Sequence, residues 1–79
     1  MVIGILAVQG AFIEHQAMLD RLHVKNFQIR NKVDLNRPMD GIILPGGEST
    51  AMGKLLNDLD MMNDLKRLIH DGLPVFGTC

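Results

Sequence analysis

Tryptophan and tyrosine are absent from this 79-residue chain, cysteine occurs once, and no long block carries charge of one sign. Without the two largest aromatics, an interior must be filled by aliphatic side chains and six methionines, in a composition that is 47% hydrophobic. Such a composition suits helices packed on parallel strands. A single cysteine excludes an internal disulfide and any cysteine-built metal cage, and it implies a free thiol in a reducing, cytoplasmic setting. Eight Lys and Arg against nine Asp and Glu leave a net charge of -1. Nothing in that balance draws the chain to nucleic acid or to an anionic membrane. The apolar start Val2 to Val8 has no Lys or Arg before it and falls far short of the ~20 residues of a membrane span, which argues against export and insertion. One domain is the most this length allows, with a thin core, because so short a chain buries only about 60 to 65% of the surface it exposes when unfolded.

Hydrophobic pattern predicts the elements. Val2 to Val8 is a continuous apolar run ending at Gln9-Gly10, the pattern of a strand buried on both faces of a parallel sheet. Ala11, Met18 and Leu22, flanked by Phe12 and Leu19, predict the inward face of an amphipathic helix. Phe27 to Ile29 predicts a short second strand, and Arg30 to Pro38 a polar connection without an assigned structure. Gly41 to Leu44 is a third strand, stopped by Pro45-Gly46-Gly47. Met52, Leu55, Leu56 and Leu59 carry one helix, and Met61, Met62, Leu65, Leu68 and Ile69 the next, with Asp60 as its expected N-cap. Lys66, Arg67 and His70 suit that helix's last turn, Gly72 and Pro74 follow as cap and breaker, and Val75-Phe76 opens a last strand. Strands alternating with helices predict an α/β fold with a mainly parallel sheet. In such sheets ligands gather beyond the carboxyl ends of the strands, so Gln9-Gly10, Pro45 to Ser49 and Gly77 to Cys79 should converge on one edge.

Each of those segments has a chemical and a structural reading. Gly46-Gly47 leaves backbone N-H groups unobstructed, as an oxyanion hole needs, and serves equally as a tight turn into a helix capped by Ser49 or Thr50. The Walker pattern fails because Glu48 and Leu55 stand where it requires Gly and Ser or Thr, and no G-x-G-x-x-G follows the first strand. No cofactor and no metal site is expected. Gly77-Thr78-Cys79 after a strand has the form of the first half of a nucleophile elbow. A helix N-terminus or a nearby cation would lower the thiol pKa, whereas a carboxylate directly after Cys79 would favour the neutral thiol. Taken alone, such a cysteine reads as a small buried hydrophobe. Of three histidines, His15 falls near the inward face of the first helix, as a packed residue or as partner in a dyad with Cys79, while His23 and His70 read as solvated.

Taken together, Val8-Gln9-Gly10-Ala11-Phe12 with Glu14-His15, Leu44-Pro45-Gly46-Gly47-Glu48-Ser49-Thr50 and Phe76-Gly77-Thr78-Cys79 resemble the glutaminase subunit of two-component pyridoxal 5'-phosphate synthases, a class I glutamine amidotransferase family. The resemblance implies a flavodoxin-like amidotransferase fold, truncated, with residues 1–79 as the N-terminal part of a single domain ending at its nucleophile. It implies that Cys79 attacks the carboxamide of L-glutamine, that Gly47, Glu48 and Ser49 bind glutamine, and that Gly46, Gly47 and Gln9 form the oxyanion region. It further implies a heteromeric complex in which ammonia passes to a barrel-type lyase, the synthase subunit that makes vitamin B6 cofactor. The family's catalytic His and Glu lie downstream of the nucleophile, so these residues alone are expected to be inactive as a glutaminase. Two rival readings stand beside it: a Cys-dependent protease or glyoxalase relative of similar fold, and an inactive, partner-binding α/β fragment.

Overall fold

A computed structural model describes residues 1–8, 12–45 and 49–77, the last span with side chains from residue 53 onward. The apolar run at the start forms β1 (Val2–Leu6), and the continuity of that run is explained by its place in the sheet. Four strands lie in the order β2-β1-β3-β4, every pair parallel, with β2 (Lys25–Ile29), β3 (Gly41–Leu44) and β4 (Val75–Gly77). A strand flanked on both sides and both faces has no polar surface to present. Between the strands come α1 (Phe12–Arg21), a 3-10 turn (Val33–Asn36), α2 (Ser49–Asp58) and α3 (Met62–His70). The α/β class and the parallel sheet therefore agree with the pattern in the sequence.

Register assigns the faces. Gly4 pairs with Phe27 and Ile42, and Ile42 with Val75, so Leu6, Phe27, Ile29 and Ile42 share one face. Leu35 from the 3-10 turn, Leu56 of α2, and Met61 and Leu65 at the start of α3 close over it as the main core. Among the described residues, the side chains of Ile5, Leu6, Ile29, Leu35, Ile42 and Met61, there and beneath α1, are essentially sealed from solvent. Each contributes about 1.5–3 kcal/mol of burial free energy. The 3-10 turn is shaped by short polar links: Arg30 N-H donates to Asp34 Oδ2 at 3.0 Å, and Asp34 N-H to Asn31 Oδ1 at 3.0 Å. Beside it, the Arg37 guanidinium lies 4.1 Å from the centre of the Phe27 ring. Lys32 bridges Asp60 at 2.9 Å and Asp64 at 3.7 Å, and its ammonium pKa is raised by the Asp60 hydrogen bond and by both negative charges.

Several expectations need correction. β2 begins at Lys25 rather than Phe27, because β1 offers ladder partners to Val2↔Lys25 and Ile3↔Asn26. β1 ends at Leu6 rather than Val8, although Ala7 N-H still donates to Ile29 O at 2.9 Å. Met18 and Leu22 do not face inward; they are 50% and 62% exposed. The half-buried face of α1 is Phe12, His15, Gln16 and Leu19, one residue step, about 100°, around the wheel. Polar pairing sets that rotation. Gln28 Nε2 donates to Gln16 Oε1 at 2.8 Å, Gln16 Nε2 to Asn26 Oδ1 at 3.2 Å, and Asn26 Nδ2 to Asp20 Oδ1 at 2.7 Å.

Asp60 is not the N-cap of α3. It sits at φ 57 just past α2, where its N-H donates to Asn57 O at 3.1 Å and Met61 N-H reaches back to Leu56 O at 2.8 Å. This is a Schellman ending. Thr50 lies inside α2 rather than at its cap. The Gly72 cap does hold, at φ 102.

Candidate active site

Because all four strands run the same way, their carboxyl ends share one edge. Ile5 pairs with Ile43 and Leu44 with Gly77, so the last residues of β1, β3 and β4 stand level across the sheet. Two inter-strand spacings, roughly 10 Å, separate the outer two. The direction of connection reverses here: β1 leads through α1 to β2 on one side, while β3 lies on its other side. Such a switch point is where open α/β sheets bind ligands.

The helices add to the edge electrostatically. α1 and α2 follow β1 and β3 within a few residues, so both N-termini, at Phe12 and Ser49, lie toward this edge. Each brings the partial positive charge of a helix macrodipole, which favours a thiolate or an oxyanion nearby. Of the sequence-derived site residues, Ser49 is placed as the first residue of α2. Gln9, Gly46, Gly47, Glu48 and Cys79 lie outside the described residues. Gly77, two residues before Cys79, is the last residue of β4, and Pro45, one before Gly46, is buried directly after β3.

Topology sorts the histidines. His23 follows α1 and precedes β2, and His70 closes α3 ahead of β4, so both stand at the amino edge, away from the candidate site. His15 is half-buried in the second turn from the N-terminus of α1, on the side of the carboxyl edge. Its partner in the suggested dyad, Cys79, is outside the described residues. Arg30, which nothing in the sequence singles out, directly follows β2 at the carboxyl edge, with Nε donating to Gln28 Oε1 at 2.7 Å. Its only signal would have been the strand order. Among the described residues no three His, Cys, Asp or Glu gather where a metal ion could be held, and no helix is long and apolar enough to cross a membrane.

Comparison with known proteins bears on what this edge belongs to. The chain is 61% identical over 79 residues to the pyridoxal 5'-phosphate synthase subunit PdxT of Methanocorpusculum labreanum, all of this chain matching 42% of that protein. It is 53% identical over 79 residues to the subunit of the same name from Desulfitobacterium hafniense, covering 40% of it, and 54% identical over 82 residues to that of Streptococcus pneumoniae, covering 42%. The chain thus spans about two fifths of the length of these relatives. Among solved structures, one described as the crystal structure of glutamine amidotransferase superposes with a TM-score of 0.89 at 39% identity, covering all of this chain and 42% of that one. These matches disfavour the protease and glyoxalase reading. The family model for SNO glutamine amidotransferases matches residues 5–79, from within β1 to Cys79, and so takes in all three strand ends of the candidate site; the chain belongs to that family.

Proposed function

We propose that residues 1–79 carry the nucleophile and the glutamine-binding edge of a glutaminase that feeds ammonia to a pyridoxal 5'-phosphate synthase. The observation that carries this reading is the level alignment of β1, β3 and β4, whose parallel register brings the chain leading into Gln9, Gly46-Gly47 and Cys79 to one switch point. The Cys79 thiolate attacks the side-chain carbonyl carbon of glutamine. Negative charge builds on the carboxamide oxygen, where backbone N-H groups around Gly46-Gly47, with Gln9 nearby, stabilise it. Collapse of the tetrahedral adduct breaks the C-N bond, and the leaving nitrogen takes a proton and departs as ammonia. Water then cleaves the glutamyl thioester to give glutamate and free thiol. Gly47, Glu48 and Ser49 hold the substrate at the N-terminus of α2.

Turnover needs a base for both proton transfers, and the family supplies His and Glu from beyond its nucleophile. The protein is assigned to the cytoplasm, in a heteromeric complex whose partner is the barrel-type lyase that consumes the ammonia. The test compares this chain with the intact Methanocorpusculum labreanum subunit, each with and without the synthase partner, by ammonia release from glutamine. The 79-residue chain should release ammonia orders of magnitude more slowly, as nucleophile-bearing enzymes do without their base. In the intact subunit, a glutamine-analogue affinity reagent should label the cysteine matching Cys79, and its Cys→Ser variant should lose both labelling and turnover. Retention of activity by that variant would sink the assignment.

A further inference from the structure

Two Asp-Gly dipeptides occur in the sequence, Asp40-Gly41 and Asp71-Gly72, and no Asn-Gly. In such a pair the glycine nitrogen reaches the aspartate carboxyl carbon with no Cβ in the way, so an aspartyl bond cyclises most readily before glycine. Each pair is followed by an aliphatic residue, Ile42 or Leu73. The local sequence therefore treats the two nearly alike, and the fold separates them.

Asp40-Gly41 is locked at the entrance to β3. Asp40 Oδ2 accepts the Val2 N-H at 2.7 Å, and Asp40 N-H donates to Val2 O at 2.7 Å. Gly41 is buried and paired with Ile3 of β1, and an added Cβ would come 3.3 Å from Ile3 Cδ1. Turning this peptide to bring Gly41 N onto Asp40 Cγ would break both links to Val2 and draw Gly41 out of the sheet. Asp71-Gly72 stands in the opposite situation. Asp71 is the C-cap of α3, at φ -76 and ψ 1, and Gly72 follows at φ 102; both are exposed. Among the described residues no hydrogen bond or ion pair holds the Asp71 carboxylate. Two backbone links close the turn, Gly72 N-H to Ile69 O at 3.1 Å and Leu73 N-H to Leu68 O at 3.0 Å, and Ile69 beside them is 41% exposed. Helix ends so thinly covered open at low free-energy cost.

We propose that Asp71-Gly72 is a site of spontaneous isoaspartate formation, while Asp40-Gly41 is protected by the fold. With the Asp71 carboxyl in its neutral acid form, the Gly72 amide nitrogen bonds to Cγ and gives up its proton, and the carboxyl hydroxyl leaves with that proton as water. A second water opens the resulting five-membered succinimide. Cleavage of the nitrogen's bond to Cγ restores aspartate; cleavage of its bond to the original backbone carbonyl carbon gives isoaspartate. Water lost in the first step is regained in the second, and nothing is oxidised or reduced. Isoaspartate routes the chain through Cβ, which adds one carbon between α3 and β4 and leaves a free α-carboxylate in the turn. The closure of Leu73 N-H on Leu68 O and the Ile42↔Val75 pairing both depend on that spacing, and β4 leads to Cys79. The product belongs to the substrate class of S-adenosylmethionine-dependent isoaspartyl carboxyl methyltransferases.

The 79-residue chain and its Asp71→Glu variant are incubated in heavy-oxygen water, in native buffer and in concentrated urea. Peptide mapping with electron-transfer fragmentation tells isoaspartate from aspartate at each position, and heavy oxygen taken up there counts the ring openings. In native buffer isoaspartate should accumulate at Asp71 about tenfold or more faster than at Asp40, and in urea the two rates should converge. Asp71→Glu should abolish the signal at that position, because the longer side chain would have to close a six-membered ring. Absence of isoaspartate at Asp71, equal rates at the two positions in native buffer, or a preference for Asp71 that persists in urea would each overturn the proposal. Glutamine and ammonia play no part in this experiment, so its failure leaves the glutaminase reading standing, and the converse holds.

Discussion

At the scale of single residues, glycines report most directly on what surrounds them. A Cβ added at Gly4 would come within 2.7 Å of Ile29 Cδ1 and 2.8 Å of Met39 Sδ, and Ile29 is fully buried. Both neighbours are side-chain ends that can turn, yet one of them has no free volume to turn into. Gly4→Ala should therefore lower stability by about 1–3 kcal/mol, the usual cost of overpacking. Gly53 is the contrast, since nothing lies within 4 Å of its added Cβ and it sits inside α2. Gly53→Ala should raise stability by roughly 0.5–1 kcal/mol, through helix propensity alone. Urea titration of the two variants checks the opposite signs. The candidate chemical segments stand out in the sequence, because Gly46-Gly47 and Gly77-Thr78-Cys79 each follow an apolar run. Arg30 was not legible, because its place at the site's edge depends on which strand neighbours which.

At the scale of elements, the three α-helices among the described residues end alike although only one of them ends in glycine. His23, Asp60 and Gly72 all have positive φ, and the next residue's N-H reaches back five positions in each case: Val24 to Leu19, Met61 to Leu56, Leu73 to Leu68. Every one of those closing pairs is apolar, as Schellman endings favour. His23 at φ 59 bears a side-chain penalty that glycine would relieve. His23→Gly should thus stabilise by roughly 0.5–1 kcal/mol, and Gly72→Ala should destabilise by about 1 kcal/mol. In a domain of this size such changes move Tm by about 4–8 °C per kcal/mol, which thermal melts resolve. The Gly72-Pro74 stop was readable because glycine and proline announce it. The ending at Asp60 was not, since an aspartate before a helical run looks like an N-cap until the backbone dihedral is known.

For the whole molecule, the uneven covering of the sheet predicts uneven protection. β1 is enclosed by two strands, with four of its five residues buried, whereas β4 is a three-residue edge strand with Phe76 and Gly77 exposed. Local opening follows burial and contact density, so amides of β4 should exchange much faster than those of β1. Hydrogen exchange read by NMR tests this, and equal protection in the two strands would contradict it. The same asymmetry explains why so apolar a chain leaves Phe76 in solvent while burying Ile5, Leu6 and Ile42 completely.

The alternation of apolar runs with helical periods determined the α/β class and the order of elements, because burial on two faces and on one face leave different periods in a sequence. Strand order, register and the rotation of α1 were decided only by the tertiary structure. Met18 and Leu22 looked inward by periodicity, yet Gln16, Asn26 and Gln28 hydrogen-bond across the interface and turn a different face to the sheet. Such pairing joins residues 10 and 12 positions apart through a fold that neither segment encodes alone. For the same reason, the sequence could offer Cys79 as a candidate nucleophile by its neighbours, but only the parallel sheet set the end of β4 level with those of β1 and β3.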